Sequence, residues 1–197
     1  MSGALVWLLV ALGLGVVVVR RRSLAVALVT AQALVLAVRA HDEGAAAAAL
    51  AVRALALGLL LLLVISRTRE PRPVRSGVAP LARGGLAVTL ALALTWLVPA
   101  IGLDSRSAER GVLALAAFGL VAVATRTSTL FQVLGIVLVE NGLALAALEL
   151  HNGSSAAIEL GVACDLMLIA TVAVVFHERI FAEFGAGDAA ALRSLRD

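Results

Sequence analysis

The stretch Leu130-Phe-Gln-Val-Leu-Gly-Ile-Val-Leu-Val-Glu140-Asn-Gly-Leu-Ala-Leu-Ala-Ala-Leu148 decides the fold. Wound as an α-helix at ~1.5 Å per residue, it reaches nearly across the ~30 Å hydrocarbon layer of a bilayer. It contains one carboxylate, Glu140, near its middle. Placing an acidic group near the bilayer centre costs about 2.5–3.5 kcal/mol, so such a side chain faces the bundle interior, pairs with a cation or lines a wet path.

Six further apolar runs flank this one: Gly3 to Val19, Ser23 to Val38, Ala45 to Ile65, Leu86 to Leu103, Val112 to Thr125 and Ala156 to Phe176. The second and fifth are short for a crossing and must borrow flanking residues, and Ala45 to Ala49 is weakly hydrophobic and prone to fray. Apolar residues make up 62% of the 197, with a mean hydropathy of +1.06. A soluble domain carries about 45–50%, so a water-soluble fold is excluded. The expected fold is all-α: a polytopic membrane bundle of about seven transmembrane helices in the inner (cytoplasmic) cell membrane.

All 16 basic residues are arginine. Arg20, Arg21 and Arg22 follow the first apolar run instead of preceding it, so that run reads as an uncleaved span and not a secretory signal. The positive-inside rule puts those three on the cytoplasmic side, with the loop arginines Arg67, Arg69, Arg72, Arg75 and Arg83. Alternation adds Arg126, Arg179, Arg193 and Arg196, leaving Arg39, Arg106 and Arg110 outside. The amino terminus then faces outward and the carboxyl terminus inward. Short loops leave no soluble basic face for a duplex, so nucleic acid is not an expected partner despite a pI near 10.8.

Three parts follow along the chain. Residues 1–125 form a five-helix membrane portion with a cytoplasmic loop at 66–85, which contains Pro71, Pro73 and Pro80. Residues 126–184 form a helix pair carrying Glu140 and Asp165, and 185–197 a short cytoplasmic tail. In that tail Asp188, Leu192 and Leu195 suggest an amphipathic turn against a partner.

Arg53 in the third span, Glu140 in the sixth and Asp165 in the seventh lie deep within apolar runs. Counted from the cytoplasmic ends, Arg53 lies about 19 Å, Glu140 about 15 Å and Asp165 about 18 Å deep, one level within a helical turn of ~5 Å. Two readings stay open. In one, Arg53 neutralises a carboxylate and the set only fixes helix packing. In the other, the carboxylates form a proton path: low dielectric raises a carboxyl pKa and a neighbouring cation moves it back, so Glu140 and Asp165 load and release protons. Arg53 is then the counter-charge, and with a pKa above 12 it exchanges no proton itself. Gln32 and Thr30 in the second span, and Gln132 and Asn141 in the sixth, are candidates to hold water beside these charges, with Asn141 placed to orient Glu140.

The remaining polar features read as ordinary. His151 and Glu149 fall in an outer loop, Asn152-Gly153-Ser154 matches a glycosylation sequon, and Trp7 and Trp96 near span ends read as interfacial anchors. His177-Glu178-Arg179 marks the inner end of the last helix. One cysteine, Cys164, can form neither an intrachain disulfide nor a cysteine cluster. No Walker loop, dinucleotide fingerprint, paired CxxC or bis-histidine pattern is present, so no cofactor, metal or catalytic residue is expected in this chain.

The segment Gln132-Val-Leu-Gly-Ile-Val-Leu-Val-Glu140-Asn141-Gly142, followed by Glu159-Leu-Gly-Val-Ala-Cys-Asp165, resembles the hydrogenase-4 component E family, a membrane subunit of formate hydrogenlyase-type and other group 4 hydrogenase complexes. The likeness is most specific from Arg126 to Asp197. Residues 112–184 are also similar to the three-helix K subunit of respiratory complex I and the C subunit of Mrp-type cation/proton antiporters. Asp165 stands where their second membrane glutamate falls, and the first would fall at Val137, one turn before Glu140. The resemblance implies that these groups lie on a hydrophilic axis coupling electron transfer elsewhere to proton or sodium movement. It also implies partners: other membrane subunits of a hydrogenase or complex I-like assembly and its cytoplasmic redox arm. The component E family places a lysine where Arg53 stands. The alternatives are a structural anchor without ion conduction and an antiporter subunit.

Overall fold

The computed structural model describes residues 3–68, 78–103, 105–150 and 156–184. Among them the apolar runs become seven α-helices: α1 (Gly3–Val18), α2 (Arg22–Arg39), α3 (Gly44–Thr68), α4 (Pro80–Leu97), α5 (Arg106–Thr125), α6 (Thr129–Leu148) and α7 (Ala156–Phe184). A single 3-10 turn, His41–Glu43, joins α2 to α3. The chain is all-α, and six of its helices, α2 to α7, are long and apolar enough to cross a membrane. With 16 residues, α1 reaches about 24 Å.

Four boundaries differ clearly from the expected spans, the first three for a local reason. Pro80 starts α4 six residues before Leu86, because its missing N–H costs nothing in the first turn. The same helix stops at Leu97, two residues before Pro99, which disfavours helical geometry in the residue ahead of it. Helix α5 begins at Arg106, not Val112. Ser105 caps it by accepting a hydrogen bond from the Ala108 N–H, and Glu109 Oε1 accepts from the backbone N–H groups of Gly102 and Leu103. Helix α7 continues past His177 to Phe184, so His177-Glu178-Arg179 lies within it and does not end it. The expected loop at 66–85 is correspondingly shorter, since Ser66 to Thr68 and Pro80 to Gly85 are helical.

Helix α6 is the most enclosed of the six long helices, and α4 and α7 are peripheral. The closest pairing is α5 against α6. It depends on Gly119 and Gly135, which face one another: a Cβ on Gly135 would lie 2.8 Å from the Gly119 carbonyl oxygen, and one on Gly119 would strike the Gly135 carbonyl. Small residues at a crossing let two backbones approach in lipid, where packing replaces the hydrophobic effect as the source of helix association. Helix α2 packs on α3 and α6, α1 on α2 and α5, and α7 mainly on α3 and α6. One side of α7 stays exposed, including Leu168, Val172 and Phe176.

Ion pairs mark which helix ends lie together. Arg39, at the end of α2, donates to Glu149 at the end of α6, 3.2 Å away. At the opposite end of the bundle, Arg67 of α3 lies 3.7 Å from Glu178 of α7. Glu149 is therefore not an ordinary loop residue: it is 2% exposed and ties two helices together. Trp7 and Trp96 are exposed, as interfacial anchors would be. His151, the sequon at 152–154 and the tail at 185–197 lie outside the described residues.

Candidate functional site at the bundle midplane

Four helices contribute to one chain of hydrogen bonds across the middle of the bundle. It starts on α1, where the Leu9 carbonyl accepts from Gln32 Nε2 of α2 at 2.8 Å. Gln32 Oε1 accepts from Asn141 Nδ2 of α6 at 2.8 Å. Asn141 Oδ1 accepts from Arg53 Nη2 of α3 at 3.1 Å, and Arg53 Nη1 donates to Glu140 Oε1 at 3.2 Å. Each link joins groups that would be costly in hydrocarbon alone, and each closes a donor with an acceptor from another helix.

Burial falls along this chain. Gln32 and Asn141 are fully enclosed and Arg53 is 3% exposed, while the Glu140 side chain is 12% exposed. Arg53 belongs to the α3 face turned toward α2 and α6, the same face as Leu50, Ala54 and Leu57 at helical spacing. Beside it a cavity of about 10 Å³ is at the lower limit for one water. Its polar edge is formed by Thr30, Arg53 and Asn141. Thr30 fits there because residue 58 is glycine, where a Cβ would come within 2.6 Å of the Thr30 hydroxyl.

Glu140 also faces outward, into a groove of about 440 Å³ between α5, α6 and α7. The groove is lined by Leu120, Val123, Ile136, Val139, Leu143, Val162, Leu166 and Ile169, and its two charged residues are Glu140 and Asp165. The carboxylates thus share one opening. Asp165 is exposed and makes no ion pair among the described residues. Arg53 therefore neutralises Glu140 and not Asp165.

Of the expected site residues, the structure joins Arg53, Glu140, Asn141 and Gln32 directly and brings Asp165 to the same groove. Thr30 borders the small cavity. Gln132 is elsewhere: its Nε2 donates to the Arg126 carbonyl at 3.1 Å, in the corner between α5 and α6, far from holding water beside the midplane charges. Two arginines that the positive-inside count assigns to the cytoplasmic side are buried. Arg126 is 2% exposed and Arg83 is fully enclosed in the first turn of α4. Arg83 could have been found from Pro80, which signals a helix start three residues before it.

The chain is similar to an uncharacterized protein, Rv0085, of Mycobacterium tuberculosis (strain ATCC 25618 / H37Rv), with 31% identity over 134 residues. The match takes in 66% of this chain and 59% of that protein, so the chain spans about three fifths of the length of the relative it matches. No family model matches the chain. No solved structure matches it either.

Proposed function

We propose that this chain is a non-catalytic integral membrane subunit of a hydrogenase-like or complex I-like oxidoreductase, with Glu140 and Asp165 contributing to a proton or sodium path. The observation that carries the reading is the shared groove. Two mid-helix carboxylates open into it, and one of them is wired through Arg53, Asn141 and Gln32 to the far side of the bundle. A lateral polar chain of this kind is suited to passing charge displacement between neighbouring membrane subunits. Arg53 supplies the fixed counter-charge, since a guanidinium keeps its proton. The groove, apolar except for two acids, suits a partner's transmembrane helix that presents a cation at mid-depth.

In this proposal all seven helices cross the membrane, α1 with help from flanking residues, with the amino terminus outside. Among the described residues Arg20, Arg21, Arg22, Arg67, Arg83, Arg126 and Arg179 fall at one end and Arg39, Arg106 and Arg110 at the other, so the positive-inside rule makes the first end cytoplasmic.

A second reading, a structural anchor that conducts nothing, is favoured by the closeness of Arg53 to Glu140 and the near-complete burial of the arginine. The two readings separate on one experiment. Glu140→Gln and Asp165→Asn are introduced into the native complex, and assembly and ion translocation are measured in vesicles. The path predicts that the complex assembles and translocation is lost; full translocation by both variants overturns it. Identifying the large subunits that co-purify separates a redox complex from a cation/proton antiporter.

A further inference from the structure

The arginine-rich end of the bundle has a cluster of buried donors, several of them without an acceptor among the described residues. Arg83, in the first turn of α4, is fully enclosed, and its Nε, Nη1 and Nη2 have no hydrogen-bond partner. Arg126, at the corner between α5 and α6, bonds through Nη2 to the Val17 carbonyl at 3.0 Å and to the Val19 carbonyl, and lies 3.8 Å over the Phe131 ring. Its Nε and Nη1 are buried without partners, as are the hydroxyls of Thr127 and Ser128 that follow it.

These elements meet at the end of α1. Arg126 grips the carbonyls of Val17 and Val19, and the α4 turn that carries Arg83 packs so close that a Cβ on Gly84 would lie 3.0 Å from Val18. The burial of Arg126 presses its pKa down, and the charges of Arg83 and of Arg20, exposed in the next corner, press it in the same direction. Among the described side chains the acidic group at this end is Glu178, and it is held near Arg67 on α3.

We infer that Arg83, Arg126 and Arg20 form a binding site for a phosphate oxyanion, supplied by the headgroup of an anionic phospholipid. Planar guanidinium forks match phosphate oxygens two at a time, and a ligand of charge −1 to −2 is what three clustered cations with no carboxylate beside them among the described residues lack. The level is that of the helix ends, where lipid phosphates lie, and basic pockets between transmembrane helices on the cytoplasmic side take acidic headgroups. Exposed Arg20 meets the headgroup first, and Arg83, fully enclosed in this structure, reaches the phosphate by turning its fork on its flexible stem. Free phosphate shares this chemistry, so the test separates the two sources.

The full chain is placed in nanodiscs of phosphatidylcholine alone or with phosphatidylglycerol or cardiolipin, and its melting temperature is followed. Inorganic phosphate is compared with chloride at equal ionic strength in a parallel set. Anionic lipid is expected to raise Tm by roughly 5–10 °C at saturating ligand. Arg83→Met is expected to melt at or above wild type in phosphatidylcholine, because it removes an uncompensated buried cation, and to lose most of the anionic-lipid rise. Arg21→Gln, an exposed neighbour outside the site, is expected to keep the rise. A full rise with inorganic phosphate alone supports the oxyanion site and assigns it to the free ion. Equal Tm in all lipids with no phosphate effect, or a full lipid rise retained by Arg83→Met, overturns the inference.

Discussion

Replacing Arg53 by leucine is the sharpest test of the midplane network. Arg53 is 3% exposed and holds Glu140 at 3.2 Å and Asn141 at 3.1 Å. The charge sits at mid-depth in the packed bundle and in inserted but unpacked helices alike, so the lost contacts bound the change. Interhelical hydrogen bonds measured in membranes average ~0.6 kcal/mol, which puts a floor of about 1.2 kcal/mol on two of them. Removing one partner of a buried ion pair costs about 3–5 kcal/mol, which sets the ceiling. The expected loss is about 3 kcal/mol, equivalent to roughly 6–12 °C in Tm for a chain of this size. The assay is thermal unfolding of the purified protein in one fixed lipid composition, with Arg53→Leu, Glu140→Leu and the double variant side by side. The double variant is expected to recover most of the loss, since it removes both charges together. An Arg53→Leu protein melting within a degree of wild type, or a double variant no better than the worse single one, would refute the pairing and with it the static part of the network.

Further outcomes are expected elsewhere. Gly135→Ala should destabilise despite the ~1 kcal/mol it gains in helix propensity, because its methyl group meets the Gly119 carbonyl at 2.8 Å, whereas Gly161→Ala, with open space around it, should be neutral or stabilising in the same melting assay. Glu149→Leu should cost about 1–2 kcal/mol, less than Arg53→Leu, because its partner Arg39 is 30% exposed and can turn to water; chemical unfolding of the two variants in parallel tests that order. Cys164 is exposed and precedes Asp165 on α7. At that depth it should react with an apolar, membrane-permeant maleimide in the isolated protein and be protected where a partner packs on α7 beside the groove, whereas equal labelling in both would argue against a partner there.

Much of the architecture was legible along the chain because lipid imposes one rule on every segment: about twenty apolar residues, closed by charge, glycine or proline. The exceptions were helix ends. Arg83 and Arg106 looked like loop residues because charge near an apolar run reads as its end, while Pro80 and the Ser105 cap in fact extend the helices around them. For the site, depth alone placed Arg53 and Glu140 at one level, and the 3.2 Å contact between them agrees with that. Depth could not say which carboxylate Arg53 meets, since level is a coordinate along the membrane normal and pairing depends on which faces the helices turn to one another. Gln132 shows the same limit in reverse: its polarity suggested the midplane, yet two turns of helix carry it to the Arg126 corner.

By composition and spacing alone, this polypeptide was committed to an all-helical form with apolar spans and three mid-span charges, because the cost of bare backbone and of isolated charge in hydrocarbon is set residue by residue. Tertiary structure decided that Arg53 meets Glu140 directly and heads a chain through Asn141 and Gln32 back to Leu9, that Asp165 shares only the outer groove, and that Arg83 and Arg126 are enclosed beside one another's charge. Those outcomes turn on helix rotation and neighbour choice, which contacts between residues distant in the chain settle and which no local run of sequence contains.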